Sequence, residues 1–442
     1  MPTAAALTLP QHTLRLPLND ELHARPPVTL ADPTWITHLV MLHESPAGTA
    51  ERVASLDEER HLQALCALAR GPFESQKHGN HWILEAGGLS LKWERHNEFS
   101  SYTFFRRREA SDSDQATALE AFPPDWCMAI PGQLLVASHV EYCTPRQRDI
   151  DALLDEAGSA RVTTIASRVA GGDSLIVSDF RLHDGYTRLI VVDESGNARQ
   201  AGVTVQQLLE IETYRIMALL SFPVAREVSQ RLGRAEQEAA QLMAEMAGEQ
   251  GHENERAILA RLTRLAADVE LSVSRTAYRF GAAEAYYAIV RQRLDDLAEQ
   301  RIGRLPTVRS FMDRRLAPAM QTCLSAAKRQ SELSSRIARN SALLRTRVEI
   351  ELERQNQELL TQLNRRARVQ LRLQETVEGL SVVAITYYAT QLVHHLAVGA
   401  EERFHAMSPE IVTALAIPVI GGLVYWGLRR MRRSLTAIQG DA

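Results

Sequence analysis

Residues 379–400, GLSVVAITYYATQLVHHLAVGA, and residues 411–428, IVTALAIPVIGGLVYWGL, contain no aspartate, glutamate, lysine or arginine. A helix needs ~20 apolar residues to cross a hydrocarbon core about 30 Å thick, so both runs are long enough, the second only just. The segment between them, EERFHAMSPE at 401–410, is too short to be a domain. The pattern predicts a transmembrane hairpin whose two ends lie on the same side of a membrane.

The flanks of these runs are basic, whereas the connecting segment is mainly acidic. Arginine-rich flanks stay in the cytoplasm, so both termini are predicted to be cytoplasmic. The second run contains Pro418 and a Gly421–Gly422 pair and would also fit a buried core helix, but the basic flanks favour a membrane span. The arginines that set this topology are Arg365, Arg366, Arg368, Arg372, Arg429, Arg430, Arg432 and Arg433.

The beginning of the chain and its composition narrow the function classes. MPTAAALTLPQHTLRLPLNDE at 1–21 lacks a basic region followed by an apolar core, so it does not resemble a signal peptide. The four cysteines follow no metal or redox spacing, which is typical of a reducing compartment. A net charge of −4 gives no electrostatic case for nucleic-acid binding.

The order of periodicities along the 442 residues predicts an α+β fold class. A mixed cytoplasmic domain with period-two strands precedes a long helical, coiled-coil stalk and the two-helix transmembrane hairpin. The predicted divisions are an N-terminal arm at 1–33, the α+β domain at 34–203, a helical region at 204–306, a long stalk helix at 307–378, the two spans at 379–400 and 411–428, and a basic tail at 429–442.

The stalk carries an apolar stripe with an eleven-residue period. Such a period corresponds to ~3.67 residues per turn and a nearly straight or slightly right-handed supercoil. If unbroken from Pro318 to Val377, the helix spans roughly 90 Å. The stripe needs a partner, either the preceding helices or a second copy of the chain, and the sequence leaves both open. Its members are Leu333, Ile337, Ser341, Leu344, Val348, Leu352, Gln355, Leu359 and Leu363.

Polar residues in the first apolar run share one helical face: Ser381, Tyr388, Gln391 and His395. Polar groups in hydrocarbon are costly and normally face protein or a water-filled path. The face could line a pore, or it could form hydrogen bonds within the hairpin or an oligomer. The second interpretation is favoured because neither run contains an acidic residue to complete an ion site.

Two short stretches in the soluble part could carry chemistry. WERHNEFS at 93–100 places Glu94, His96 and Glu98 at alternate positions, where they could bind a divalent cation or perform acid–base chemistry. The favoured alternative is a strand end whose charges pair with Arg95, Arg106 and Arg107. ELHARP, with Glu21, His23 and Arg25, suits an extended arm docked on the domain or a binding segment. The common phosphate-binding, esterase and zinc motifs are missing from the sequence, so no cofactor is predicted.

Six stretches resemble a family of uncharacterised bacterial proteins, a conserved domain of unknown function described only as membrane-anchored. They are LNDELHARPP (18–27), WERHNEFSSYTF (93–104), YRIMALLSFPVAREV (214–228), SVSRTAYRFGAAEAYYAIVRQRLDDL (272–297), FMDRRLAPAMQTC (311–323) and RRARVQLRLQETVEGLSVVAITYYATQL (365–392). The resemblance implies a C-terminal anchor in the bacterial inner membrane, and it supplies no catalytic residue. The layout is also similar to CorA-type magnesium channels, although residues 401–410 lack the Gly-Met-Asn triplet of that family.

Three hypotheses follow. The first is a non-enzymatic protein, held at the inner membrane by lipid contacts, that binds a protein or small-molecule ligand. The second is a CorA-like homo-oligomeric channel or transporter, assembled through the stalk and the hairpin. The third is an enzyme built around Glu94, His96 and Glu98, which requires these side chains to converge in a pocket.

Overall fold

Thr34–Leu42 runs through the interior of a ten-stranded sheet, and its side chains are almost all buried. The computed structural model describes residues 12–15, 19, 27–30, 32–43, 49–68, 74–159, 164–247, 252–404 and 408–439. The arm residues Glu21, His23 and Arg25 lie outside these ranges. The strands are β1 Thr34–Leu42, β2 Glu74–His78, β3 His81–Ala86, β4 Leu89–Arg95, β5 Phe99–Arg107, β6 Gln133–Cys143, β7 Ile165–Val169, β8 Ser174–His183, β9 Tyr186–Asp193 and β10 Gln300–Arg301.

Helices connect these strands and then make up the rest of the described chain. Short 3₁₀ turns lie at Ala118–Ala121 and Ala170–Gly172. The α-helices are α1 Thr49–Leu68, α2 Pro124–Met128, α3 Ile150–Ser159, α4 Ala198–Leu219, α5 Ser221–Ala247, α6 His252–Asp296, α7 Val308–Phe404 and α8 Pro409–Gln439.

The strand order is β10-β7-β8-β9-β6-β1-β5-β4-β3-β2. Neighbouring strands are antiparallel except β6 and β9, which are parallel. Because side chains alternate across a strand, the central strands contribute to two cores. Trp35 and Leu39 pack with Leu62 and Leu65 of α1, and Ile36 packs in the other core with residues of α4.

The chain divides into two units, residues 1–249 with 260–341 and residues 250–259 with 342–442. The first unit holds the sheet, α4 and α5. The second holds the C-terminal part of α7, together with α8. The predicted order of a mixed sheet domain, a long helical region and a C-terminal apolar helix is confirmed.

Candidate functional site

A cavity of about 80 Å³ lies between one face of the sheet and α4. It is smaller than the roughly 150 Å³ engineered cavity that holds benzene, and it is large enough for water or a very small molecule. Its walls come from β1, β4, β5, α4 and the segment at Val28 and Leu30. The polar side chains that line it are His38, Lys92, Glu94, His96, Ser101, Thr103, Gln206, Glu210, Thr213 and Tyr214.

An ion pair lies on the sheet side of this cavity. Lys92 and Glu94 are two residues apart on β4, so both point to the same face of the sheet. Lys92 Nζ lies 3.1 Å from Glu94 Oε1, and the two side chains are only 5% and 15% exposed. Buried charges are costly unless paired, so each of these two groups depends on the other.

His38 lies in the same wall as a neutral, fixed ring. Its Nδ1 is 2.8 Å from the Thr103 hydroxyl and its Nε2 is 3.0 Å from the Thr213 hydroxyl of α4. Hydroxyls can donate or accept, so both nitrogens of a neutral imidazole are satisfied. Burial, helped by the charge of Lys92, lowers the pKa of His38 to about 3. At neutral pH His38 is therefore uncharged, and it joins β1 to α4 by donating one hydrogen bond and accepting another.

The helical wall depends on a glycine. A Cβ placed on Gly202 of α4 would lie 1.7 Å from the carbonyl oxygen of Val28, so only glycine lets this segment cross the helix. The amide of Leu30 also donates to the carbonyl of Ala198 at 2.9 Å. The segment at residues 28–30 thus forms one side of the cavity.

A second carboxylate lines the helical wall. Glu210 accepts a hydrogen bond of 2.8 Å from the Gln206 side chain and another from Nε of Arg293 on α6. The cavity therefore presents one ammonium group, two carboxylates and several neutral hydroxyls. Such a lining can orient a small polar ligand that carries charge.

The structure separates the three residues predicted from WERHNEFS. Glu94 and His96 line the cavity. Glu98, in the turn after β4, is bound instead by Arg279 and by the Tyr286 hydroxyl at 2.7 Å, both on α6. Burial, followed by the hydrogen bond with Glu98, raises the pKa of Tyr286. In the described ranges no three His, Cys, Asp or Glu side chains are grouped to hold a metal ion, so the divalent cation stays a prediction without a cluster to support it.

The predicted charge pairing of this stretch occurs, but the partners are different. Arg95 binds Glu58 of α1 at 2.6 Å on the opposite face of the sheet, and Arg106 lies 3.3 Å from Asp112. Arg107 lies 3.3 Å from Asp32. The alternation of a strand sends Arg95 away from the face that holds Glu94, which is why the two neighbours do not share partners.

The C-terminal part of α7 lies against α8 in antiparallel order. His394 Nδ1 is 2.9 Å from the Thr413 hydroxyl, and the Thr386 methyl group would lie 3.6 Å from a Cβ at Gly421. The two helices therefore approach within van der Waals range at Thr386 and Gly421.

The polar face predicted in the first run does not take part in this packing. Tyr388 is 72% exposed, and Gln391 and His395 are also exposed. Ser381 is half-buried, and its hydroxyl donates to the carbonyl of Val377 in its own helix. Hydrogen bonding across the two helices occurs through His394, a neighbour of the predicted residues.

Pro409–Arg430 of α8 is long and apolar enough to cross a membrane, with a mean hydropathy of 2.0 and no buried share. Within the part of the chain that the structure describes, no other helix meets this condition. The run 379–400 contains two tyrosines, two histidines and a glutamine, which lower its mean hydropathy. The two-span hairpin is therefore not confirmed. The flanking arginines 365, 366, 368, 372, 429 and 430 are exposed, whereas the side chains of Arg432 and Arg433 lie outside those described.

Sequence reasoning missed Lys92, His38, Glu210 and Thr213. LSLKWER alternates apolar and polar residues, which is typical of a strand with one face in water. Here α4 covers the polar face, and no local pattern indicates that. The usable signal was His38, a polar side chain inside the otherwise apolar strand β1.

Comparison with known proteins agrees with the resemblance seen in the sequence. The family model described as "Protein of unknown function (DUF3422)" matches residues 10–435. No curated protein matches the chain. The likeness to CorA-type channels rests on layout alone. Because the match extends over nearly all of the 442 residues, the chain belongs to the DUF3422 family of proteins of unknown function.

Proposed function

We propose that this chain is a membrane-anchored binding protein whose sheet domain holds a small charged ligand on the cytoplasmic side of a bacterial inner membrane. The observation that carries the proposal is the buried Lys92–Glu94 pair facing a cavity between the sheet and α4. An apolar pair of the same size is often as stable as a buried ion pair, or more stable. Charge retained at the wall of a cavity is therefore best accounted for by recognition of a ligand.

The lining favours a small zwitterion such as a short amino acid. Lys92 would attract its anionic group, and Glu94 or Glu210 its cationic group, while the hydroxyls of the wall fix its orientation. The neutral state of His38 at physiological pH and the absence of a known catalytic motif support binding without chemistry.

Thermal unfolding of the detergent-solubilised full chain tests this proposal with small amino acids, small carboxylates and small amines. We expect zwitterions to raise the transition temperature in a concentration-dependent manner, and we expect Lys92→Met to abolish that rise relative to its own baseline. Lys77→Met is the matched control, since Lys77 pairs with Glu59 at a more exposed site, with its side chain 39% exposed. If none of the three classes of compound raises the transition temperature of the wild-type protein, the proposal of a small charged ligand is refuted.

Anchoring is supported by the apolar Pro409–Arg430 segment and by the arginines around it. The first span of the proposed hairpin, residues 379–400, is supported by its contacts with α8 at Thr413 and Gly421. Fractionation after mild lysis is the direct test. The protein should stay with the membrane pellet through a high-salt wash, and its release into the soluble fraction would remove the anchor.

A second candidate, a CorA-like oligomeric channel, is favoured by one observation. The polar residues Tyr388, Gln391 and His395 point away from α8, so they could face a shared path in an assembly. Ion flux into liposomes should then fall with Gln391→Leu and stay unchanged with Gln357→Leu, a glutamine of α7 before the apolar run. Wild-type protein without flux would eliminate this candidate.

A further inference from the structure

We propose that one continuous face of α7 is the interface with a second copy of this chain, packed in parallel and in register. We call it the outer face. Its members follow one another at steps of three, four or seven residues, so on an α-helix they stay within one narrow stripe. They are Leu352, Leu359, Leu363, Arg366, Gln370, Leu373, Val377, Ser381, Ala384, Tyr388, Gln391 and His395.

The first half of the outer face, residues 352–377, is mainly apolar and is exposed. Every residue from 352 to 377 is exposed in the described part of the chain, with Leu359 57%, Leu363 59% and Leu373 66% exposed. Helices in water gain most of their stability by packing an apolar face against a partner. The sequence left open the partner of the apolar stripe at 333–363, of which Leu352, Leu359 and Leu363 lie on the outer face. The earlier members Leu333, Ile337 and Leu344 are buried, whereas residues 352–377 are exposed among the described helices.

The second half of the outer face, from Ser381 to His395, carries polar residues in the segment that we propose lies in lipid. Tyr388, Gln391 and His395 are exposed, although they belong to the run that would enter the bilayer. Polar side chains in hydrocarbon face protein or water, because exposure to lipid leaves their hydrogen-bonding groups unsatisfied.

The helix α8 does not solve this problem, because it packs on the other side of α7. The α7 residues that it meets are Thr386, about 160° around the helix from Tyr388, and His394, about 100° from His395, as the step of about 100° per residue requires. The outer face therefore offers apolar groups to water and polar groups to lipid, and a single partner along its whole length relieves both mismatches.

A partner fits such a face only if it also changes from apolar to polar residues at the level where α7 would enter the membrane. A second α7, anchored in the same membrane, has its apolar and polar halves at matching levels if the two helices are parallel. Arg366 and Gln370 interrupt the apolar half, and polar residues at such positions commonly fix register and oligomeric state. The parallel orientation rests on the proposed anchoring, whereas the pairing of residues 352–377 does not.

Cysteine cross-linking of the full chain in native membranes tests the interface. Leu363→Cys, Val377→Cys and Gln391→Cys place a thiol on the outer face, and Thr361→Cys and Val383→Cys place one on other faces of α7 as matched controls. The four native cysteines stay in every variant, so the wild-type chain sets the background. With a mild oxidant we expect a disulfide-linked product of twice the chain mass at least tenfold above background at the three outer positions only.

Equal cross-linking at outer and control positions, or a product whose mass is not twice that of the chain, would overturn the proposal. Oxidation of Leu363→Cys in detergent separates this result from the anchoring. If the Leu363→Cys protein forms this dimer in detergent but fractionates as soluble, the interface is supported and the membrane anchor is refuted. A protein that stays in membranes but shows no preference for the outer face keeps the anchor and loses the interface.

Discussion

Lys92 and Glu94 form the ion pair in the cavity wall, and we expect replacement of only one of them to lower the free energy of unfolding. Lys92→Met leaves the Glu94 carboxylate buried without its 3.1 Å partner. We expect a loss of about 3 kcal/mol in the free energy of unfolding, near the lower end for a broken buried pair because Glu94 keeps some exposure. The double variant Lys92→Met, Glu94→Met should recover most of it, as measured by denaturant unfolding. A double variant as unstable as the single one would contradict the pairing argument.

His38 makes stability depend on pH in a defined direction. Its pKa is 6.5 in the unfolded chain and about 3 in the folded chain, so between these values the unfolded state binds a proton that the folded state does not. The free energy of unfolding therefore falls as the pH is lowered through this window, approaching about 1.4 kcal/mol per pH unit from this residue.

The comparison of wild type with His38→Gln isolates this contribution. The variant is expected to be less stable at pH 7, and the difference should shrink as the pH is lowered from 6.5 to about 4, where only wild type loses the His38 contribution. His139, whose pKa burial lowers to about 4, is present in both proteins and cancels. A difference that stays constant with pH would show that His38 ionises normally in the folded protein.

Gly202 and Gly233 give a pair of substitutions with opposite expected signs. Gly202→Ala puts a methyl group 1.7 Å from the Val28 carbonyl oxygen, so the segment at residue 28 must move, at a cost of about 1–3 kcal/mol. Gly233 in α5 has nothing within 4 Å of a Cβ, so Gly233→Ala should stabilise by about 0.5–1 kcal/mol. Thermal unfolding of both variants measures the contrast, and destabilisation by Gly233→Ala as well would refute the steric explanation.

The chemistry of single positions could be predicted only in part. Glu94 and His96 were named from their spacing and do line the cavity, because a strand places alternate residues on one face. Glu98 was grouped with them, but the chain turns before it and α6 supplies Arg279 and Tyr286 from 181 and 188 residues away. The sequence around Glu98 does not indicate contacts with residues so far away along the chain.

Strands and helices followed the sequence where periodicity was strong. TWITHLVMLH (34–43) and FSSYTFFR (99–106) have the period-two pattern that predicts strands, and they form β1 and β5. The polar β2, ESQKH, and the two-residue β10 carry no apolar alternation, and neither was predicted. The order of the ten strands, with β10 paired to β7, depends on packing between distant segments and could not be derived from local pattern.

The last helix offers a direct test of its surroundings. Leu415 and Val419 of α8 are 61% and 60% exposed, so arginine at these positions disturbs little inside the protein. In lipid each arginine costs about 2.5–3.5 kcal/mol near the centre of a span, and we expect Leu415→Arg, Val419→Arg to move the protein out of the membrane pellet. The matched Leu360→Arg, Leu371→Arg should stay in the pellet. Retention of the α8 variant would mean that this face does not meet hydrocarbon.

For the molecule as a whole, the number of spans decides where each end lies. If α8 alone crosses the membrane, the sheet domain and residue 442 lie on opposite sides. If the run 379–400 crosses as well, they lie on the same side. Basic residues on both flanks of the pair, with glutamates at 401, 402 and 410 between them, favour two spans, since arginines resist translocation and acids count little.

A reporter fused after Ala442 distinguishes these topologies. With two spans, a C-terminal alkaline phosphatase should be inactive and a C-terminal fluorescent protein bright, because both would remain in the cytoplasm. A phosphatase fused within 401–410 should be active, since that segment would be exported. Replacing Arg429, Arg430, Arg432 and Arg433 with glutamate should weaken this orientation, because the charge that retains the tail is removed. Phosphatase activity after Ala442 in the wild-type chain would mean a single span. Tyr388, Gln391 and His395 would then lie outside the bilayer, and only the exposed apolar residues at 352–377 of the outer face would support pairing with a second copy.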